Sequence, residues 1–366
     1  MSVLLLILGL LLFVGLVVVH EFGHFVAARR NGIVVEEFGV GFPPRAKVLT
    51  RKNGTTYTLN WLPLGGFVKL KGEHDADTKP GTFGAASLKA KVKVMVAGVG
   101  MNLATAFVIF TIVALIGMPK ILDNQFTVKS DTKISNQQVL VGLVQPNSPA
   151  QKAGLQQRDR LVAVGPEGKT IAITSQDQLP RLTKKFAGQT VVLQIERGGQ
   201  IQTKIVTLRS QKDSQKGYLG VSPTEYVLRR STWSAPVVAA GMIVQFTQAT
   251  LNGLGSAISS LFHGNAGQAS AQVSGPIGIF VLLKDGSILG IQFVLLIIGV
   301  ISLTLAIMNI LPIPALDGGR LFTILFYRII KKPLTAEREE LINGIGFVLL
   351  MLLFVVITVV DVKRNF

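Results

Sequence analysis

The sequence predicts an α-helical polytopic membrane protein with about four transmembrane helices, an inserted β-rich domain and a small cytoplasmic, membrane-associated β-hairpin region. Three observations predict it. Only 16% of the 366 residues are charged, against about 25% in soluble domains, and mean hydropathy is +0.49. Four long apolar runs are separated by basic stretches. Between the second and third runs the chain turns to charged, β-type segments punctuated by turn signals such as Pro146-Asn147 and Gly198-Gly199. This composition excludes disordered and collagen-like chains.

The elements follow in order. In 1–30 the apolar run 3–19 continues through 25–28, and a helix over 3–28 is about 39 Å long, more than a bilayer core of about 30 Å. No basic residue precedes the run and Arg29-Arg30 follows it, which opposes a cleaved signal peptide and puts the helix C-terminus in the cytoplasm. Segment 31–93 is cytoplasmic and partly β, with short strands at 47–49, 56–61 and 66–70 around the hairpin signal Asn53-Gly54. The second span is 94–118. Segment 126–222 is a β-rich extracytoplasmic domain. Segment 230–287 reads as an interfacial, amphipathic helix and connector, because Gln245, Gln248 and Asn252 dilute it and a crossing there would turn the later basic loop outward. Spans three and four are 288–325 and 342–361. Between the apolar parts of these two spans lie Arg320, Arg328, Lys331, Lys332 and Arg338, so that loop is cytoplasmic. Basic residues outnumber acidic ones 12 to 5 in 29–93 and 17 to 8 in 119–235. No aromatic interleaving or nucleic-acid motif accompanies them, so the excess is assigned to anionic lipid and no nucleic-acid partner is expected.

Cys is absent, so any metal site rests on His and carboxylates. Two of only four His lie in His20-Glu21-Phe22-Gly23-His24. On a helix this H-E-x-x-H spacing puts both imidazoles on one face for zinc, with Glu21 beside them as general base toward water acidified by the metal. Ionisable groups inside a spanning helix are costly, which weighs for function. A third ligand is required. His74 lies in a polar loop and His263 beyond the 230–287 helix. Asp317 lies in Asn309-Ile310-Leu311-Pro312-Ile313-Pro314-Ala315-Leu316-Asp317-Gly318-Gly319, where two prolines break the third span at the face that holds His24.

H-E-F-G-H in a first span with N-x-x-P-x-P-x-L-D-G in a later one resembles the site-2 protease family of intramembrane zinc metalloproteases, and within it the regulator-of-sigma-E protease (RseP-like) group. The resemblance implies that His20, His24 and Asp317 bind Zn²⁺ and that Glu21 is catalytic. The stretch Trp61-Leu62-Pro63-Leu64-Gly65-Gly66-Phe67-Val68-Lys69-Leu70 is similar to that group's membrane-associated β-hairpin, so Gly65, Gly66 and Phe67 are expected to receive substrate as an added strand. Gly98, Val99 and Asn102 match a G-P-x-x-N element, with Val99 in place of Pro. Asn102 and Asn309 match positions the family uses to hold substrate or polarise its carbonyl; interhelical hydrogen bonding is the alternative use of both amides.

The inserted domain is similar to a single PDZ domain, on 144–155, Arg158-Asp159-Arg160 and Gly217-Tyr218-Leu219-Gly220-Val221, with Arg158 where the common bacterial form has Gly. A C-terminal peptide is its expected ligand. The resemblance implies hydrolysis within transmembrane segments of single-pass proteins, such as anti-sigma factors or remnant signal peptides, in regulated intramembrane proteolysis. The expected site is the bacterial cytoplasmic (inner) membrane, a plastid membrane being the alternative. The competing function is a non-catalytic PDZ-containing membrane scaffold.

Overall fold

A computed structural model describes residues 2–210, 217–263 and 274–365. Residues 211–216 of the expected β-rich domain and 264–273 of the expected connector lie outside the described residues. The chain forms two compact units, Met1–Ile116 with Phe126–Val128 and Trp233–Phe366, and Gly117–Gln125 with Lys129–Thr232.

The first unit is helical. Its elements are α1 (Ser2–Arg30), α2 (Leu88–Ile116), α5 (Ala235–Phe262), α6 (Pro276–Leu289), α7 (Ile291–Ile310), α8 (Asp317–Ile329) and α9 (Ala336–Asn365). Among the described residues five helices are long and apolar enough to cross a membrane: α1, α2, α5 over Ala235–Ser260, α7, and α9 over Ala336–Arg364. Helix α5 is thus a fifth candidate where the sequence suggested an interfacial helix. Its buried residues Ala235, Val238, Ala239, Met242 and Phe246 recur at helical spacing, and Phe246 stacks on Phe110 of α2 at 5.6 Å. Gln245, which argued against a span, accepts the Phe126 N–H at 2.7 Å.

Two further features differ from the expectation. The connector contains α6, whose N-terminus is satisfied by Asp361 of α9. That fully buried carboxylate accepts the N–H groups of Gly275 and Gly278, both at 2.8 Å, and pairs with Arg364 at 3.0 Å. Segment 288–325 is not one helix: α7 and α8 are separated by a turn over 311–316. Helix α2 also begins at Leu88, six residues earlier than expected, because Ser87 Oγ caps the Ala90 N–H at 3.3 Å.

The 31–93 region forms a two-stranded hairpin, β1 (Val35–Lys52) and β2 (Thr55–Leu70), longer than the short strands expected. Asn53 and Gly54 turn it, both at positive φ (52° and 78°). The strands fold back on themselves. Residues 37–40 pair with 66–69 and also with 56–59, while 45–52 pair with 55–60. Residues 66–70 are therefore paired on one side only among the described residues. The apolar cluster of Phe25, Val35, Leu70, Phe83, Val94, Met95 and Ile324 binds this sheet to α1, α2 and α8.

The second unit is a seven-stranded antiparallel sheet with strands β3 (Met118–Pro119), β4 (Lys133–Val144), β5 (Arg160–Gly165), β6 (Ile171–Ala172), β7 (Thr190–Arg197), β8 (Gln200–Thr207) and β9 (Val221–Arg230). Their order is β3-β9-β4-β5-β7-β8, with β6 on β5. Two helices, α3 (Pro149–Lys152) and α4 (Gln178–Lys185), accompany it. Val191, Leu193 and Ile195 alternate into the core, the period of a half-buried strand. The sheet reaches past 126–222 at both ends, since β3 pairs with Leu228 and Arg229. Arg158 sits at φ 74°, the left-handed conformation that suits the Gly of the resembling form.

Candidate metal centre

Helix α1 sets His20 and His24 one turn apart on one face, with ring centroids 4.8 Å apart. Both are buried. Asp317 arrives from the other end of the chain. Helix α7 stops at Ile310, Pro312 and Pro314 prevent its continuation, and the chain turns through Ala315 at φ 73° before α8 starts at Asp317. The turn is tight enough that a Cβ on Gly318 or Gly319 would collide with the backbone of Ile310 or Ile313. The carboxylate thus sits at a helix N-terminus and meets the imidazoles. His20 Nε2 and His24 Nε2 are each 3.0 Å from Asp317 Oδ2 and 3.1 Å from one another.

Helix α2 supplies the floor. A Cβ on Gly98 would fall 2.5 Å from His24 Nε2 and 2.7 Å from His20 Nε2, so any side chain there would take the space at the triangle. Gly23 performs the reciprocal service on α1, since a Cβ there would lie 2.5 Å from the Ala97 carbonyl oxygen. The Gly98 match was visible in the sequence; its reason, the approach of α2 to two imidazoles, was not.

The donor set fits zinc. Tetrahedral ligands at about 2.0–2.1 Å from the ion lie about 3.3 Å from one another, close to the three separations here. His24 Nδ1–H donates to the Val94 carbonyl at 2.8 Å, so a neutral His24 presents a bare lone pair at Nε2. Facing it are a second imidazole nitrogen and a carboxylate oxygen. A cation at their centre satisfies all three.

A cavity of about 120 Å³ opens beside the triangle, lined by Glu21, His24, Asp317, Val68, Glu73 and Arg320 among others. Glu21 borders the ligand face of α1, and the Val68 backbone N–H of the one-sided strand interacts with its carboxylate.

The sequence matches peptidase family M50 over residues 8–353. A Clostridium perfringens protein whose name carries the words zinc metalloprotease is 34% identical over 359 residues, covering 97% of this chain and 98% of that one. The zinc metalloprotease RasP of Shouchella clausii is 27% identical, over 96% of this chain and 97% of that protein. RasP of Geobacillus kaustophilus is 26% identical, over 98% and 97%. The chain belongs to peptidase family M50.

The other residues singled out in this M50 chain fall as follows. Gly66 lies against Glu21: a Cβ there would be 3.5 Å from Glu21 Cγ. Gly65 is at φ 119° beside Phe42 and Val17, and Phe67 packs over Gly39. Asn309 donates to its own helix, at Leu305 O, 3.0 Å. Asn102 is fully buried with its Nδ2 3.3 Å from His20 Nδ1. His74 pairs with Glu340 at 3.3 Å and His263 Nδ1 bonds Ser259 O, away from the triangle.

Sequence reasoning missed an ionic network that holds Arg320 in the cavity wall. Arg320 Nε donates to Glu339 at 3.2 Å, its Nη2 bonds the Glu73 carbonyl, and its guanidinium lies 4.8 Å from the Phe83 ring. Glu339 also accepts the Asp75 N–H at 2.8 Å, and Asp75 pairs with Lys91, which is fully buried. The network ties the 72–91 segment, α8 and α9 together one turn from Asp317. The one signal available was an Arg three residues after Asp317.

Proposed function

We propose that this M50 chain is an intramembrane zinc endopeptidase that hydrolyses peptide bonds within transmembrane segments of single-pass membrane proteins, such as anti-sigma factors or remnant signal peptides, in regulated intramembrane proteolysis. The observation that carries it is the His20–His24–Asp317 triangle beside Glu21, built on apolar helices. Zinc held by that triangle supplies Lewis acidity toward the scissile carbonyl and lowers the pKa of water. Glu21 takes the proton of the attacking water and returns it to the leaving amide nitrogen. Arg320 and Glu73 keep the cavity wall polar where water must enter.

A helical substrate satisfies its own backbone hydrogen bonds and hides its carbonyls, so it must unwind before attack. The one-sided strand at 66–70 is proposed to offer replacement bonds at its remaining backbone groups, the Leu70 N–H being donated to Glu73 at 2.9 Å, and Gly65, Gly66 and Phe67 lie where an added strand would approach Glu21. Asn309 is proposed to hold the substrate once its amide leaves Leu305. The sheet unit is proposed as an extracytoplasmic PDZ-like domain that takes a C-terminal peptide. The bacterial cytoplasmic membrane is the proposed location, with 79 and 331 inside and 169 outside. A membrane scaffold would have no use for a complete ligand set plus base.

The test is Glu21→Gln. Cleavage of a tagged single-pass substrate should fall by at least the 10²–10⁴ of a general base, roughly, while zinc is retained. Retained cleavage, or zinc loss equal to that of His20→Ala, would overturn the assignment.

A further inference from the structure

Among the described residues, one buried side-chain polar atom has no hydrogen-bond partner: Oδ1 of Asn102. Its neighbour on the same amide, Nδ2, faces His20 Nδ1 at 3.3 Å. In this arrangement His20 Nδ1 accepts, which puts its ring proton on Nε2, toward Asp317. That tautomer cannot ligate a metal through Nε2. Ligation there requires the proton on Nδ1, and two donors would then confront each other. A half-turn of the amide about its last side-chain bond exchanges oxygen and nitrogen with almost no change of shape. The orphaned oxygen then receives the His20 Nδ1–H, and Nδ2 takes the unpartnered position.

We propose that Asn102 is a positioning residue for the metal centre, its side-chain oxygen accepting from His20 Nδ1–H in the zinc-loaded protein and so fixing the tautomer that turns Nε2 to the ion. This deepens the proposed function and rests on the zinc assignment there. It assigns Asn102 to the side of His20 remote from the metal, not to the developing oxyanion.

The two imidazoles are then supported in parallel from one helix. The Val94 carbonyl, which can only accept, fixes His24 at 2.8 Å, and Asn102 two turns further along α2 fixes His20. The difference is that the amide can accept or donate, so only the His20 side can follow metal occupancy. Asn102 is itself anchored: its backbone carbonyl accepts from Ser302 Oγ of α7 at 2.7 Å. Metal-binding His residues generally donate their second ring N–H to such an acceptor, and loss of that acceptor typically costs about 10–100-fold in metal affinity.

The experiment measures zinc affinity of the purified full-length protein by chelator competition, for wild type, Asn102→Leu and Asn102→Asp. Leu keeps the branched shape and removes the acceptor, so affinity should fall about 10–100-fold, and cleavage should recover as free zinc is raised. Asp restores an acceptor oxygen, so its affinity should match or exceed wild type. Histidine-selective ¹⁵N spectra supply the second readout: the zinc-loaded wild type should show His20 protonated at Nδ1, and Asn102→Asp should show the same. Should Asn102→Leu fail to fold, the Asp variant and the spectra decide. Zinc affinity of Asn102→Leu equal to wild type, an Asp variant with weakened affinity, or a His20 protonated at Nε2 in the loaded protein would overturn the inference. A wild type that binds no zinc would instead sink the proposed function.

Discussion

The two units handle polar groups in opposite ways. In the sheet unit the core is apolar, built on Val191, Leu193, Ile195, Leu161 and their neighbours, and its ion pairs reach the surface, even that of the buried Asp159, whose partner Arg197 is part-exposed. Arg160 and Glu196, for example, keep 40% and 31% of their side chains exposed. In the helical unit the polar groups are inside. His20, His24, Asn102, Lys91 and Glu339 are all buried, and each is held by a group outside its own helix. Burying charge is expensive unless it is paired, so such groups persist where they do something or hold what does. The contrast locates the chemistry before any comparison with relatives.

Four substitutions sharpen that contrast, taken from the largest expected effect downward. Gly98→Ala places a methyl group against both imidazoles, so zinc affinity should fall by at least the upper end of what supporting groups cost, about 100-fold, with cleavage lost. Metal analysis checks it, and a zinc-replete Gly98→Ala protein would mean that α2 does not form the floor. Lys91→Met removes the buried amine from Asp75, which keeps Arg328 at 3.8 Å, so the loss should approach but not exceed the roughly 3–5 kcal/mol of breaking a buried pair. Thermal unfolding in detergent should show a large loss; a change below about 1 kcal/mol would place the network outside the folded core.

The third lies in the sheet unit. Arg197 donates twice to the buried Asp159 carboxylate, both at 2.7 Å, and once to the Gly154 carbonyl at 2.8 Å. Arg197→Met should destabilise that unit by about 1.5–3 kcal/mol, read as faster limited proteolysis within 129–232, with zinc content unchanged. The smallest effect is expected at Glu196→Gln, an exposed partner whose loss should cost less than about 1 kcal/mol and vanish at high salt. A larger or salt-insensitive effect there would erase the distinction between the two units.

The sequence carried the centre because its parts are short-range signals. H-E-F-G-H reports itself by helical spacing, and Asp317 by two prolines and two glycines around one carboxylate. Asn53-Gly54 likewise announced its hairpin. What stayed hidden depends on partners far along the chain. Lys91 and Glu339 look like ordinary surface charges until folding removes them from water and pairs them with Asp75 and Arg320. Helix α6 escaped notice because Lys284 and Asp285 interrupt its apolar pattern and its N-terminus is satisfied by Asp361, 83 residues away. Helix α5 read as interfacial and not as a span because the partner of Gln245 is a backbone group more than a hundred residues earlier. Asn102 was legible as a position and not as a role, since the role depends on which ring nitrogen it meets.

The central claim is the three-residue ligand set, and Asp317 is its most exposed link, joined to the imidazoles only by the Pro-broken turn. The direct measurement is the zinc content of purified Asp317→Asn beside wild type and Glu21→Gln. The account predicts stoichiometric zinc in wild type and Glu21→Gln and depleted zinc in Asp317→Asn, with cleavage absent from both variants. An Asp317→Asn protein with stoichiometric zinc and wild-type cleavage would contradict it.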